Sequence, residues 1–314
     1  MKQGRGRDRL APDKNAGTTT VDVAGKKLQL CNLDKVYYPA SGFTKAGVID
    51  YYVRIAPAIL PHLAGRPVTL KRYPEGVGGS CFYQKECPEY RPEWLETVPV
   101  YTESHDGDIN YCLINDLPSL VWVVNTAAIE LHTSLSPGKD PLTPEVVVFD
   151  LDPGPPATII ECSQVALWLR QIFAGYGLQC FPKTSGSKGL QVYVPLNTPV
   201  TYGRTKSFAH AQARLLEGRH PDVVVSRMTK SLRTGKVLVD WSQNDRHKTT
   251  VCVYSLRARE HPTVSAPVRW PEVEAAAAKR DPRLLTFEAN QVVQRWKQHG
   301  DLFAPVLELQ QELP

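Results

Sequence analysis

The sequence predicts an α+β fold. Short apolar runs bounded by Gly and Pro recur along the chain and read as strands. Longer stretches with an apolar period near that of a helix lie between them. The two kinds follow one another irregularly, without the strict strand–helix–strand order that builds a parallel sheet. There is no internal repeat.

Taken in order, residues 1–20 form a basic tail expected to be disordered, with Lys2, Arg5, Arg7, Arg9 and Lys14 against Asp8 and Asp13. A first module runs over 21–143. Its helix spans 44–60, where Thr44 is placed to cap and Val48, Tyr51, Tyr52 and Ile55 form an apolar stripe. Strands are expected at 68–71 and 80–84, and short apolar segments at 120–126 and 128–131. The loop 137–141, Pro-Gly-Lys-Asp-Pro, separates this module from the next. The second module covers 144–262. It holds strands near 146–152, 178–182, 190–195, 236–240 and 249–254, with helices over 157–175 and 204–218. Residues 263–314, rich in Ala, Glu and Gln with Pro breaks, read as C-terminal helices.

Composition bounds the function classes. A chain of 314 residues can hold one large or two modest domains. Its 42% hydrophobic and 22% charged content fits a soluble globular protein. No apolar run approaches the ~20 residues of a membrane span, and the N-terminus lacks an apolar signal core. A cytoplasmic protein with no membrane partner is expected. The seven cysteines are scattered, odd in number and never spaced C-x-x-C, which argues against structural zinc or a disulfide framework and for reduced thiols. The net charge of +5 says little alone, but residues 224–259 carry eight Lys and Arg against only Asp240 and Asp245. Such a run is either a solvated face or a surface that holds phosphates.

The most informative segment is Val146-Val147-Val148-Phe149-Asp150-Leu151-Asp152-Pro153-Gly154. An apolar strand delivers two carboxylates at i and i+2, which share one face. Two like charges so close resist joint ionisation, and a hard divalent cation relieves the conflict. The plainer alternative is a strand end with two solvated acids. Asp240 closes a second apolar strand, Val237-Leu238-Val239-Asp240. Three carboxylates from two strands suit two divalent ions ~3.5–4 Å apart, the arrangement for in-line nucleotidyl transfer. Alternatively, Asp240 caps its own turn toward Gln243 or Asn244.

Thr184-Ser185-Gly186-Ser187-Lys188-Gly189 joins two strands, with glycines for close backbone approach, hydroxyls that donate, and the charge of Lys188. It lacks the Walker A spacing, and a polar hairpin turn reads equally well. Gln191 and Tyr193 share a strand face; Gln191 either meets a ligand phosphate or faces water. Leu70-Lys71-Arg72-Tyr73 and Cys81-Phe82-Tyr83-Gln84-Lys85 set aromatic beside basic residues. Such aromatics either enter the core or form a stacking platform for bases.

In this order, these segments resemble the polymerase domain of bacterial ligase D, of the archaeo-eukaryotic primase superfamily. The resemblance runs from about Leu30 to Leu302. It rests on Asp34-Lys35-Val36-Tyr37-Tyr38-Pro39, Gly65-Arg66-Pro67, the acid strand, the 184–190 turn, and Met228-Thr229-Lys230-Ser231-Leu232-Arg233 leading into Val239-Asp240-Trp241-Ser242-Gln243-Asn244. It implies a primase-polymerase fold, with an N-terminal α/β module packed on an RRM-like catalytic module with an antiparallel sheet. It further implies a template- and primer-dependent nucleotidyltransferase that favours ribonucleotides, uses Mn²⁺ or Mg²⁺, and acts at DNA breaks or gaps in non-homologous end joining.

By matching position, the resemblance makes Asp150, Asp152 and Asp240 metal ligands. His132, Ser185, Gly186, Lys188, Gln191 and Arg257 would meet the nucleotide. Lys35 and Lys45 would hold a downstream 5′-phosphate, Phe82 and Tyr83 would pack on the template, and Lys71 and Arg72 would lie near the DNA. Arg233 would sit on a mobile loop tied to end synapsis. The family usually has His where this chain has Gln191, which can donate to a phosphate but carries no charge. Expected partners are DNA ends or a gapped duplex with a 5′-phosphate, with a DNA ligase and a Ku-type protein on separate chains. Two other readings fit parts of the pattern. A haloacid-dehalogenase-type phosphohydrolase also places D-x-D after an apolar strand, with Asp150 as nucleophile and Asp152 as acid/base. A non-catalytic DNA-end-binding module would keep the basic and aromatic residues alone.

Overall fold

Apolar strands that must bury both faces need a partner layer on each, and the chain supplies two sheets and several helices to do so. The structure is a computed structural model that describes residues 17–102 and 106–314. The chain opens with a hairpin of β1 (Thr18–Val23) and β2 (Lys26–Cys31), then a small pair, β3 (Val36–Tyr38) and β4 (Phe43–Thr44). Helix α1 (Lys45–Leu63) begins where Thr44 accepts a hydrogen bond from the Gly47 backbone, as the capping reading expects. Strands β5 (Val68–Arg72), β6 (Phe82–Gln84), β7 (Thr97–Thr102) and β8 (Gly107–Cys112) follow, then α2 (Leu117–Asn125) and β9 (Ala128–Thr133).

The second half opens on β10 (Val146–Pro153), which carries the paired acids. Helix α3 (Ile159–Gly175) starts from a capping box in which Thr158 and Glu161 satisfy each other's backbone donors. Strands β11 (Phe181–Thr184) and β12 (Leu190–Pro195), helix α4 (Tyr202–Arg219), and strands β13 (Val224–Val225), β14 (Val237–Asp240) and β15 (Thr250–Val251) follow. Helices α5 (Trp270–Lys279), α6 (Ala289–His299) and α7 (Pro305–Glu308) end the chain.

A five-stranded sheet runs β11-β12-β10-β14-β13, antiparallel except for the parallel β13–β14 pair. A six-stranded sheet runs β15-β9-β5-β8-β7, with β6 also paired to β5. Alternation along β10 divides its side chains between two cores. Val147, Phe149 and Leu151 pack with residues of α3 and α4, whereas Val146 and Val148 join the core that holds α1, α2 and the six-stranded sheet. Asp150 and Asp152 continue that second row toward the space between the sheets.

Several expectations change. Residues 1–16 of the expected tail lie outside the described residues, but Thr18–Thr20 already belong to β1, pinned by backbone pairing to β2. The 120–126 segment is the body of a helix, opened by an Asp116 capping box. The strand expected at 178–182 shifts to Phe181–Thr184, and the one at 249–254 shrinks to Thr250–Val251, because the chain turns away through Tyr254 at φ 66°. The hairpins β1–β2 and β7–β8 were not expected. The reading of all thiols as reduced also fails, since Cys87 and Cys112 form a disulfide. The loop after β6 folds back so that the Cys87 N–H donates to Asn110 O, bringing the two Cα atoms within 5.0 Å.

Candidate active site

Register on the five-stranded sheet builds the site. Lys183 pairs with Gln191, Gln191 with Asp150, and Asp150 with Asp240. Directly opposed residues share a face, so one polar row crosses β11, β12, β10 and β14. Asp152 stands two residues beyond Asp150 on that face. The Asn244 side chain donates to Val148 O at 2.8 Å and accepts from Val148 N at 2.9 Å, locking the turn after β14 against β10.

The row opens into a cavity of about 390 Å³ between the two sheets. Asp150, Asp152, Ser185, Lys188 and Gln191 line it from one side, and Tyr83, His132 and Arg257 from the other. Eight residues singled out from the sequence, distant along the chain, therefore meet in one cleft. Asp240, on β14, stands directly opposite Asp150. Its Oδ1 accepts from Ser242 N at 2.9 Å and Ser242 Oγ at 2.5 Å, and its Oδ2 from Gln243 Nε2 at 3.1 Å. The capping reading of Asp240 thus describes this geometry. Gly186 lines a second cavity on the far side of its turn.

Burial, then the charges of Asp152 and Asp240, push the Asp150 carboxyl up to about 7, while a hydrogen bond from Gln191 pulls it back. Asp152 is raised as well, by burial and then Asp240. Close carboxylates with raised pKa values form a hard-oxygen donor set short of positive charge, which suits a divalent cation. Among the described residues, no three acids, histidines or cysteines are gathered as a finished metal cage. Asp150 and Asp152 fit such an ion, and Asp240 stands beside them, its charge raising the pKa values of both.

The turn 185–189 holds its shape internally. Ser185 Oγ accepts from Ser187 N and Gly189 N, and Arg257 donates to Ser185 O at 2.6 Å. Gly186 sits at φ +65°, and Gly189 packs against Leu151 O so closely that a Cβ would collide.

The residues expected to face DNA divide. Phe82 and Tyr83 are exposed, Tyr83 at 61%, which favours the platform over the core. Lys71 Nζ lies over the Tyr83 ring at 5.2 Å. Arg72 is only 4% exposed; it donates to Thr126 O and Gln84 Oε1 and stacks under Phe82, so it props the platform rather than facing outward. Lys35 pairs with Glu75 at 2.7 Å near the surface. Lys45 is less open than Lys35. It is 3% exposed, and its Nζ donates to Cys31 O at 2.7 Å. Burial lowers its pKa. Arg233 donates to Met228 O across its own loop.

Two site residues escaped the sequence reading. Glu130 lies under His132, and a period-2 count from His132 would have found it. Lys183 is buried in the polar row, its Nζ donating to Val251 O and Ser265 Oγ. Burial drives its pKa down to about 7.

A primase-polymerase domain is the class that this sheet arrangement and cleft define. The family model described as "LigD, primase-polymerase domain" matches residues 44–303, and the chain belongs to that family. Membership removes the haloacid-dehalogenase alternative. The chain is 42% identical over 285 residues to the multifunctional non-homologous end joining protein LigD of Mycolicibacterium smegmatis, covering 90% of this chain and 36% of that protein. It is 32% identical to the bifunctional non-homologous end joining protein LigD of Bacillus subtilis, covering 87% of this chain and 43% of that one. The chain thus spans well under half the length of these curated relatives. The polymerase domain of Mycobacterium tuberculosis ligase D, solved in complex with DNA, superimposes with a TM-score of 0.82 at 40% identity, over 89% of this chain and 98% of that one. No described helix is long and apolar enough to cross a membrane.

Proposed function

We propose that this chain is a template- and primer-dependent nucleotidyltransferase that fills gaps or extends ends at DNA breaks during non-homologous end joining, with ribonucleoside triphosphates preferred. One observation carries the reading: Asp150 and Asp152 share a single cavity with Ser185, Lys188 and Arg257. Acids suited to divalent ions and groups suited to phosphates meet there across a distance that side chains can span.

A primer 3′-hydroxyl would attack the α-phosphate of the nucleotide, and pyrophosphate would leave. Asp150 and Asp152, with Asp240, would hold Mn²⁺ or Mg²⁺, which when bound would acidify the attacking hydroxyl and offset phosphate charge. Lys188 and Arg257 would take the triphosphate, and the rigid turn would present Ser185. Tyr83 and Phe82 would stack on the template, with Lys71 beside the backbone. Lys35 would meet the 5′-phosphate on release from Glu75, and Lys45 would follow only if it left the interior. Arg233 would act in end synapsis. A DNA ligase and a Ku-type end-binding protein are the proposed partners, and the nucleoid the proposed place.

The test is extension of a gapped duplex bearing a 5′-phosphate. Asp152→Ala is expected to lower incorporation at least ~100-fold, the scale on which removed transition-state stabilisation is felt. Unchanged extension would sink the mechanism, and DNA binding without incorporation by the parent would favour a binding module.

A further inference from the structure

We propose that Glu130 is a positioning residue that couples the DNA platform to the nucleotide side of the cleft. The inference rests on the polymerase reading above. Glu130 sits on β9 directly opposite Lys71 on β5, is 2% exposed, and projects into the region where the two half-sites meet. Its Oε1 accepts from Tyr73 Oη and from Ala258 N, both at 3.1 Å, and lies 3.7 Å from Lys71 Nζ. Its Oε2 accepts from His132 Nε2 at 2.9 Å and lies 3.2 Å from Arg257 Nε, an ion pair without hydrogen-bond alignment.

One carboxylate therefore serves two groups of residues. On one side Lys71 lies over the exposed Tyr83 ring, which meets the His132 ring edge-on at 5.9 Å. On the other, Arg257 donates to Ser185 O and so braces the phosphate turn. A buried charge costs free energy unless it is fully paired, and here the pairing is spread over both groups. Burial alone would raise the Glu130 pKa, but the hydrogen bond from His132 and the charges of Arg257, His132 and Lys71 more than offset it, so the group stays ionised. DNA that fixes Lys71 and Tyr83 fixes, through Glu130, the places of His132 and Arg257. The nucleotide then meets groups already in position.

The experiment measures affinity for a ribonucleoside triphosphate in Mn²⁺, with and without a gapped duplex whose primer lacks a 3′-hydroxyl. Parent incorporation is assayed separately on an ordinary primer. In the parent, DNA is expected to tighten nucleotide binding about 5- to 20-fold, within the usual range of coupling between sites. Glu130→Gln keeps the shape and removes the charge, and the factor is expected to fall to within about twofold of unity. A purely structural role would weaken both affinities and leave the ratio alone. If Glu130→Gln does not fold, a cycle of Lys71→Met and Arg257→Met replaces it, with non-additive effects on nucleotide affinity expected. An active parent with an unchanged ratio in Glu130→Gln, or an additive cycle, overturns the coupling alone. A parent that neither incorporates nor binds nucleotide overturns the polymerase reading and the coupling with it.

Discussion

Gln191 stands between Lys183 and Asp150 in the polar row and is 3% exposed. Its side chain lies beside the Asp150 carboxyl across the strand pair, while its Oε1 is buried with no donor in reach. An orphaned buried acceptor costs ~1–3 kcal/mol, so a donor from a bound ligand or water is favoured there. Because Gln191 still offers an amide donor to a phosphate, nucleotide use should survive without His at this position. The parent is expected to incorporate nucleotides, with Gln191→His changing kcat/KM by less than about tenfold, or under ~1.4 kcal/mol. Single-nucleotide kinetics check this; an inert parent rescued by His would show that Gln191 disables the site. At this scale the sequence revealed the residues whose chemistry is local. Asp150 and Asp152 stand out by their spacing at the end of an apolar strand, and the 185–188 turn through its place in the family resemblance. Glu130 and Lys183 do not, because their role is set by burial and by neighbours distant along the chain.

Between residues and the whole stands the turn from β11 to β12. Gly186 occupies a left-handed conformation, and a Cβ there would press on the backbone of Val264 and Ser265. Gly186→Ala is expected to cost about 1–3 kcal/mol through both effects and to raise the KM for nucleotide. Thermal denaturation and steady-state kinetics read the two separately, and an unchanged Tm would show that the segment behind the turn yields freely. Elements with strong signals were legible: α1 starts at its Thr44 cap, and β12 covers the expected run 190–195. The hairpin of β7 and β8 was not. β7 carries Pro99 within the strand and β8 alternates with polar residues, so neither shows the continuous apolar run of β10.

Across the whole molecule, distant segments are tied by buried polar contacts. Asp301 Oδ2 pairs with His62 at 2.8 Å near the end of α1, and its Oδ1 accepts from Tyr254 Oη at 2.7 Å and Phe303 N at 2.8 Å. Burial alone would raise the Asp301 pKa, but the His62 contact and these hydrogen bonds hold it below the usual carboxylate value. A depressed folded-state pKa contributes stability above the unfolded value, near pH ~4, and loses it as pH falls through the folded pKa. Asp301→Asn should therefore destabilise the protein by about 1–3 kcal/mol at neutral pH. That gap should close on acidification below pH ~4. Urea unfolding at both pH values tests it; a gap independent of pH would assign the loss to packing. The sequence could not foretell this tie or the Cys87–Cys112 bond, since both depend on how distant segments return to one another. Nor did it foretell that β10 feeds two cores. Its residue Leu151, between the two acids, abuts Gly189 backbone to backbone. The acids and the phosphate turn are thus the two jaws of a fixed gauge. Main-chain contact sets their separation, and Arg257, bonded to Ser185 O, holds the far side of the turn.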